Sequence, residues 1–246
     1  MKNTYQVAMV TAALSAVLLL APMPGLGQAP APATAGDQAA RAKRLAERSE
    51  RDARVLTVFD RQGKVVTTVG ERAIYVVPVF SPDRTRLAVS KSDLESDTVD
   101  LWVLDVATGN STRITSNQTR RYERVWTPVW SPDGSQLAYV ALRGGYWGLY
   151  RKASNGAGTE ELLYQDPGGL MDLRDWSMDG RFLSFSTSEL VSGGTLYVLP
   201  LAGDGERKPI EVFRSEAQMQ GSRLSPDSRF LSYVSDQSGK DEVYVR

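Results

Sequence analysis

Short apolar runs broken by polar turns alternate along most of the chain. In the clearest case, residues 128–130 (Pro-Val-Trp) enter the turn 131–134 (Ser-Pro-Asp-Gly), and residues 137–140 (Leu-Ala-Tyr-Val) leave it. Proline presets φ for the first central position of a tight turn, and glycine tolerates the strained position that follows. Because the flanking residues are types that strands prefer, the pattern predicts a β-hairpin.

This hairpin pattern occurs four times. The turns lie at 81–84, 131–134, 177–180 and 225–228, so the first residues of successive turns are 50, 46 and 48 positions apart. A fixed period in this range is typical of repeat proteins. Within each turn, serine and aspartate are expected to hydrogen-bond turn amides that lack a strand partner. These residues are Ser81, Asp83, Ser131, Asp133, Ser177, Asp179, Ser225 and Asp227.

A second pair of strand signals follows each of the first three hairpins. These pairs cover residues 100–105 and 112–115, 148–152 and 161–164, and 195–199 and 210–213. Four short strands in a unit of about 45 residues match one blade of a β-propeller. The sequence therefore predicts an all-β protein, a β-propeller with about four four-stranded blades over residues 55–246.

The two ends of this region predict an incomplete ring. Residues 55–59 and 65–69 read as a third and a fourth strand, and residues 242–245 read as a last third strand. Together with three complete blades and one more hairpin, the expected total is seventeen strands. A ring of four-stranded blades needs a multiple of four. We therefore expect an open arc of a larger propeller, truncated at its C-terminus.

The turn, the Leu-Ala-Tyr strand at 137–139 and the Leu-Tyr-Val strand at 196–198 carry a resemblance. The pattern resembles the Pro-Asp-type, WD-like propeller repeat of the TolB family and its relatives. Residues 233–246 are similar to the ends of propellers fused to bacterial receptor-type serine/threonine kinases. The resemblance extends to propellers that precede the hydrolase domain in prolyl oligopeptidase and dipeptidyl peptidase relatives. One propeller fold serves many functions, so it implies the fold more strongly than the activity.

The composition excludes several kinds of catalytic and metal-binding site. Lysine plus arginine equals aspartate plus glutamate at 29 each, so no overall field favours nucleic acid. Histidine and cysteine are absent, which excludes a Ser-His-Asp triad, a cysteine nucleophile and a cysteine metal site within these residues. The turn aspartates lie in different blades and cannot converge on one ion. We expect no catalytic residue, no metal site and no cofactor.

The N-terminal part reads as an export leader. Residues 1–27 combine an early lysine, a short apolar run and small residues, as in a signal peptide. An uncleaved membrane anchor is the alternative, but the run is shorter than a spanning helix needs. Residues 28–54 read as an Ala/Pro-rich linker and a charged helical spacer. We expect a periplasmic or secreted protein with no stable membrane span after cleavage.

The candidate interaction face is formed by the loops opposite the Ser-Pro-Asp turns, which commonly carry ligands in related propellers. Arginine and aromatic residues cluster there, and such residues are enriched at binding hot spots. The alternative is a solvated rim with the two tryptophans packed between blades. The candidates are Arg120, Arg121, Tyr122, Arg124, Trp126, Arg143, Tyr146, Trp147, Asp172 and Arg174.

These features suggest a non-enzymatic propeller scaffold that binds a protein or peptide partner in the cell envelope. Two alternatives remain open at this point. The chain could be the substrate-filtering propeller of a larger hydrolase of the prolyl-oligopeptidase type, although it contains no Gly-x-Ser-x-Gly motif. It could also be the sensor module of a signalling receptor.

The leader generates a direct test. We expect the mature protein to begin near Gln28, because small residues precede that position and the apolar run ends before it. N-terminal sequencing of protein from the cell-envelope fraction measures this. A start at Met1 in protein recovered from the cytoplasm would contradict it.

Overall fold

The computed structural model describes residues 35–96, 98–115, 124–166, 170–188, 193–202, 207–217 and 219–246. The chain forms two compact units, Met1–Ala73 and Ile74–Arg246. The expected signal peptide, residues 1–27, lies outside the described residues. Among the described residues, no helix combines the length and the apolar character needed to cross a membrane.

The first unit contains a charged helix and a two-stranded sheet. Helix α1 (Ala35–Asp52) carries i,i+4 ion pairs such as Lys43–Glu47 at 3.9 Å, which stabilise an exposed helix modestly. Strands β1 (Arg54–Phe59) and β2 (Val65–Ala73) pair antiparallel. Buried Leu56, Val58 and Val69 form the apolar side of this hairpin.

The second unit consists of four blades in sequence order. Blade 1 contains β3 (Tyr75–Phe80), β4 (Arg86–Asp93), β5 (Thr98–Asp105) and β6 (Ser111–Arg113). Blade 2 contains β7 (Arg124–Trp130), β8 (Gln136–Arg143), β9 (Tyr146–Ala153) and β10 (Glu161–Asp166). Blade 3 contains β11 (Leu170–Trp176), β12 (Phe182–Ser188), β13 (Gly194–Pro200) and β14 (Ile210–Ser215). Blade 4 contains β15 (Met219–Leu224), β16 (Leu231–Ser235) and β17 (Glu242–Val245).

Each blade is an antiparallel meander whose first strand is innermost. The inner strands β3, β7, β11 and β15 contact one another in that order. The described residues contain seventeen strands in the expected sequence, and the predicted β-propeller fold is confirmed. Blade 4 has three described strands. That the blades form an open arc of a larger propeller stays a prediction.

Core packing explains why the strands read as continuous apolar runs. Along β8, Leu137 and Tyr139 pack into a cluster with Leu101 and Val103 of blade 1. The alternate residue Val140 packs on the other side of the strand, in a cluster that includes blade 3 residues. A strand covered on both faces needs apolar residues at every position rather than at alternate ones.

Each inner strand contains a bulge two to five residues before its turn serine. The register shifts lie between Val76 and Val79, Trp126 and Val129, Leu173 and Asp175, and Gln220 and Arg223. At these bulges φ is positive for Val77 (49°), Thr127 (47°) and Gly221 (68°). Glycine adopts this conformation freely, whereas a β-branched residue there is strained by about 1–3 kcal/mol.

Proline makes these bulges compatible with the sheet. Pro78 follows Val77 and Pro128 follows Thr127. Proline has no backbone N–H. The residue after the strained position therefore has no amide donor that would need a hydrogen-bond partner in the sheet. The chain thus holds two β-branched residues in a conformation that they disfavour, on strands that line the centre of the propeller unit.

Two adjacent valines provide a matched test of this strain. Val76 and Val77 are 43% and 42% exposed in the same strand, and only Val77 has positive φ. Val76→Gly should lower the free energy of unfolding by about 1 kcal/mol, because glycine weakens an extended strand. Val77→Gly should leave it unchanged or raise it by about 1 kcal/mol, because it releases strain. Urea denaturation measures both, and equal losses would contradict the strained conformation.

Candidate functional site

A serine–aspartate hydrogen bond closes the inner hairpin of every blade. The serine Oγ donates to the aspartate Oδ1 at 2.6 Å in blades 1, 2 and 4 and at 2.7 Å in blade 3. The pairs are Ser81–Asp83, Ser131–Asp133, Ser177–Asp179 and Ser225–Asp227. The same serine Oγ accepts the amide five residues later, as from Gln136 N at 2.9 Å. In each turn the serine and the aspartate are thus linked to each other, and the serine also holds the start of the second strand.

The turn environment lowers the pKa of these carboxyl groups. The side-chain hydrogen bond from Ser131, followed by bonds from Ser135, lowers the pKa of Asp133 to about 2. The pKa of Asp83, Asp179 and Asp227 is lowered by their serines in the same way. Hydrogen bonds donated to the ionised form are the cause, since they are stronger to the carboxylate than to the neutral acid.

The turns lie at one end of the blades together with the connections between third and fourth strands. The connection after β5 donates from Val106 N to Thr85 O at 2.9 Å. The connection after β9 donates from Ser154 N to Ser135 O, also at 2.9 Å. The loops between second and third strands, including 143–146, therefore lie at the opposite end of the antiparallel blades.

Two candidate tryptophans contact each other within blade 2. The rings of Trp126 on β7 and Trp147 on β9 pack edge to face, with centroids 6.2 Å apart. Trp147 also packs against the cluster shared by blades 2 and 3. Val125, next to Trp126, belongs to the cluster shared by blades 1 and 2. Since side chains alternate along a strand, Trp126 faces the blade 3 side.

Arg143 makes structural contacts in blade 2. Its Nη2 lies 3.1 Å from Glu160 Oε2, which also accepts from Tyr139 Oη at 2.6 Å. Tyr139 is fully buried, and burial raises the pKa of its phenol well above the usual range. The neighbouring candidate Tyr146 is exposed. Arg143 thus pairs with a carboxylate that also holds the buried Tyr139 hydroxyl.

Asp172 and Arg174 form an ion pair on inner strand β11. Burial is the largest influence on Asp172 and raises its pKa, while the charge of Arg174 opposes the rise. Both side chains are about one-third exposed, at 34% and 31%. Asp172 Oδ1 and Arg174 Nε are nevertheless buried and have no hydrogen-bond partner among the described residues.

The same deficit occurs on inner strand β7. Trp126 Nε1 and Thr127 Oγ1 are buried and lack a hydrogen-bond partner within the described part of the chain. We call Trp126, Thr127, Asp172 and Arg174 the inner-strand surface, because they lie on adjacent strands that contact each other. Thr127 was not among the sequence candidates. No sequence signal marked it, because a threonine before proline reads as ordinary strand.

The other candidates are only partly visible. Arg120, Arg121 and Tyr122 lie outside the described residues, and only the backbone of Arg124, the first residue of β7, is described. The described residues contain no group of three or more His, Cys, Asp or Glu that could hold a metal ion. The candidate set therefore divides into the inner-strand surface, the blade 2 network of Arg143 and untested loop residues.

Comparison with known proteins identifies propeller relatives. No family model matches the chain. The chain is 31% identical over 155 residues to the uncharacterized peptidase YuxL of Bacillus subtilis, covering 61% of this chain and 23% of that protein. It is 34% identical over 88 residues to the Tol-Pal system protein TolB of Alcanivorax borkumensis, covering 35% of this chain and 20% of that protein.

A solved structure supports the same fold. The crystal structure of TolB from Acinetobacter baumannii superposes with a TM-score of 0.60 at 22% identity, over 80% of this chain and 48% of that one. This likeness establishes the β-propeller fold. The chain spans about a fifth of the length of the two curated relatives and about half of this structure. The resemblance to kinase-fused propellers stays a prediction.

The lowered pKa of Asp133 predicts a pH-dependent contribution to stability. Because the folded-state pKa is about 2 and the ordinary value is 3.8, the contribution is present above about pH 4 and is lost toward pH 2. Asp133→Asn should therefore lower the urea midpoint at neutral pH, and the difference from wild type should shrink as the pH approaches 2. Asp241→Asn, at an exposed position, is the control. A pH-independent difference for Asp133→Asn would contradict the assignment.

Proposed function

We propose that the protein is an exported, non-enzymatic propeller scaffold that binds a protein or peptide partner in the cell envelope through the inner-strand surface. The observation that carries this proposal is the set of four buried polar atoms without partners on adjacent inner strands. Most buried polar groups in native proteins are paired, so such a concentration needs an explanation.

The four atoms include both hydrogen-bond donors and hydrogen-bond acceptors. Trp126 Nε1 and Arg174 Nε can only donate, Asp172 Oδ1 accepts when ionised, and Thr127 Oγ1 can do either. A polypeptide backbone presents N–H and C=O groups in alternation and can satisfy both kinds. An unsatisfied buried group costs about 1–3 kcal/mol, which a peptide would recover if its binding displaced the groups that cover these atoms. This complementarity favours a peptide segment over a purely apolar ligand.

Backbone strain at the same place supports a binding role. Thr127 has a φ of 47° and contributes one of the unpartnered atoms. Strained residues persist where the surrounding structure holds them, and they concentrate at binding and active sites. The rigid packing of β7 between two core clusters would present Thr127 and Trp126 in fixed positions.

Binding rather than catalysis is favoured by the available side chains. With no histidine and no cysteine in the sequence, the commonest general base and the thiolate nucleophile are absent. On this surface burial raises the pKa of the Asp172 carboxyl group, but the positive charge of Arg174 is paired with that carboxylate. The short similarity to a Tol-Pal system protein agrees with a role in the envelope, and the leader-like residues 1–27 support export.

The similarity to a peptidase favours a second candidate function. The match to the YuxL peptidase covers more of this chain than the TolB match does. In that case the propeller would filter substrates for a hydrolase domain that supplies the Ser-His-Asp chemistry. The size of the native protein, measured by immunoblot of its own cells, distinguishes the two. A band large enough to include an added hydrolase domain would favour the substrate-filtering function over the scaffold function.

A matched pair of double variants tests the inner-strand surface. Asp172→Ala with Arg174→Ala removes both charges, so neither is left unpaired. We expect recovery of envelope partners with the tagged protein to fall at least about tenfold, as for a binding hot spot. The melting temperature should change by less than about 4 °C, because both side chains are partly exposed.

The control removes a similar ion pair elsewhere. Lys240 and Glu242 also lie two residues apart, 3.1 Å from each other, on the exposed surface of blade 4. Lys240→Ala with Glu242→Ala should leave partner recovery unchanged. Equal recovery by both double variants would refute the inner-strand surface as the binding site.

A further inference from the structure

The four repeats differ at the fifth residue after the turn serine. This position holds Arg86, Gln136, Phe182 and Phe230 in blades 1 to 4. The backbone is equivalent in each case, because the amide of this residue donates to the serine Oγ at 2.9–3.0 Å. The side chain therefore leaves each blade from the same place, and its length and charge determine what it reaches.

In blade 1, Arg86 crosses to the turn of blade 2. Its Nη2 donates to Gly134 O at 2.9 Å, and its Nη1 donates to Ser154 Oγ at 3.0 Å. Its guanidinium carbon lies 4.8 Å from the centroid of the Trp130 ring. One arginine thus combines a backbone carbonyl, a hydroxyl and an aromatic ring in the cleft between two blades, and each contact suits a guanidinium.

The next cleft repeats the tryptophan and the turn glycine, lacks the arginine, and has Leu201 where blade 2 has Ser154. Trp176 corresponds to Trp130 and Gly180 to Gly134, while Gln136 stands where Arg86 stood. Glutamine is uncharged and shorter than arginine, so it places no cation in the cleft. A cavity of about 440 Å³ lies there between the turns of blades 2 and 3. Its lining consists of Ser131, Pro132, Asp133, Ser135, Gln136, Arg151, Trp176, Met178, Asp179 and Gly180.

The lining offers acceptors to a cation. Gly180 O accepts one hydrogen bond, from Trp176 Nε1 at 3.1 Å, and a carbonyl has a second lone pair. Asp133 Oδ2 accepts a single bond, from Ser135 Oγ at 2.8 Å, among the contacts of the described residues. With its pKa near 2, Asp133 is ionised at neutral pH. A guanidinium would therefore meet a carboxylate and a carbonyl beside an indole ring.

The cation already in this cleft does not take the place of Arg86. Arg151 lines the cavity from β9, but its guanidinium is held by Glu161, with Nε and Nη2 2.9 and 2.6 Å from Oε2. Glu161 also pairs with Arg207 at 3.0 Å. The charge of Arg151 is thus directed to its own blade, while Asp133 and Gly180 also line the cavity.

We propose that the cleft between blades 2 and 3 binds an arginine side chain of a partner polypeptide, in the manner in which Arg86 fills the preceding cleft. The planar guanidinium matches the combination of carbonyl, carboxylate and ring better than a lysine ammonium does. This site lies at the turn end of the blades and does not depend on the inner-strand surface, so either can fail without the other.

The probes are blocked tripeptides that differ in one side chain. Ac-Gly-Arg-Gly-NH2 is titrated into the full chain, and the five tryptophan indole N–H signals are followed by NMR. The Trp176 signal is identified from its loss in Trp176→Phe. We expect saturable shifts of this signal with the arginine peptide, and at least about tenfold weaker responses with the lysine and glutamine peptides. Equal responses to the three peptides, a response to free arginine alone, or no response at Trp176 would overturn the proposal.

The decisive variant fills the cavity with a side chain of the protein itself. Gln136→Arg recreates the Arg86 side chain at the equivalent position. It should abolish the Trp176 response to the arginine peptide and raise the melting temperature by about 2–4 °C. Gln136→Lys adds the same charge without the planar group and should do less of both. Undiminished peptide binding by Gln136→Arg would refute the site.

The reverse change tests the parallel between the two clefts. Arg86→Gln should open an equivalent cavity beside Trp130, so that a second indole signal responds to the arginine peptide. The peptide should also raise the melting temperature of this variant more than that of the wild type. Absence of both effects in the folded variant would contradict the parallel, and the result for Gln136→Arg decides the site in either case.

Discussion

The hydrogen bond from the turn serine to the aspartate two residues later is the interaction on which the blades depend. By donating its proton to Oδ1, the serine hydroxyl leaves its lone pairs free for the amide five residues later. The same carboxylate oxygen accepts the amide of the residue that enters the second strand, as from Ser135 N at 3.0 Å. Three donors are thus satisfied within six residues, and the register of the inner hairpin is set locally.

This local network tolerates variation where other turns would not. The fourth turn position has positive φ in every blade, and it holds Gly134 and Gly180 but also Arg84 and Ser228. Only glycine adopts that conformation without cost, so the side-chain hydrogen bonds must hold the other two in place. The turn can therefore keep its geometry while its exposed residues change, which allows neighbouring blades to acquire different surfaces.

The sequence predicted the parts of the structure that depend on short-range interactions. Turns, hairpins, strand order and the number of strands all follow from residues a few positions apart. Contacts between distant residues were not predictable in this way. Arg86 reaches Gly134 across 48 positions and Ser154 across 68, and no periodic signal marks such a pairing. The strain at Val77 and Thr127 was also missed, because a valine or threonine before proline reads as ordinary strand.

The same distinction applies to the candidate site. Arginine and aromatic content drew attention to Arg143 and Trp147, but the structure gives them packing partners in Glu160 and the core between blades 2 and 3. Atoms without a hydrogen-bond partner, by contrast, can be recognised only when the positions of the neighbouring groups are known. Thr127 has no distinctive composition around it, and only the folded arrangement shows that its hydroxyl is buried without a partner.

Comparison of equivalent positions provides the information that a single repeat cannot. Where all blades share a backbone, residues that serve the fold are repeated, and residues that differ are free to serve something else. The fifth position before the turn serine holds Val76, Trp126 and Asp172 in the first three blades, and the fifth position after it changes from Arg86 to Gln136. The two positions lie at opposite ends of the inner hairpins. The repeats therefore keep one backbone while the side chains at these two positions differ, so each blade presents its own surface on a common scaffold.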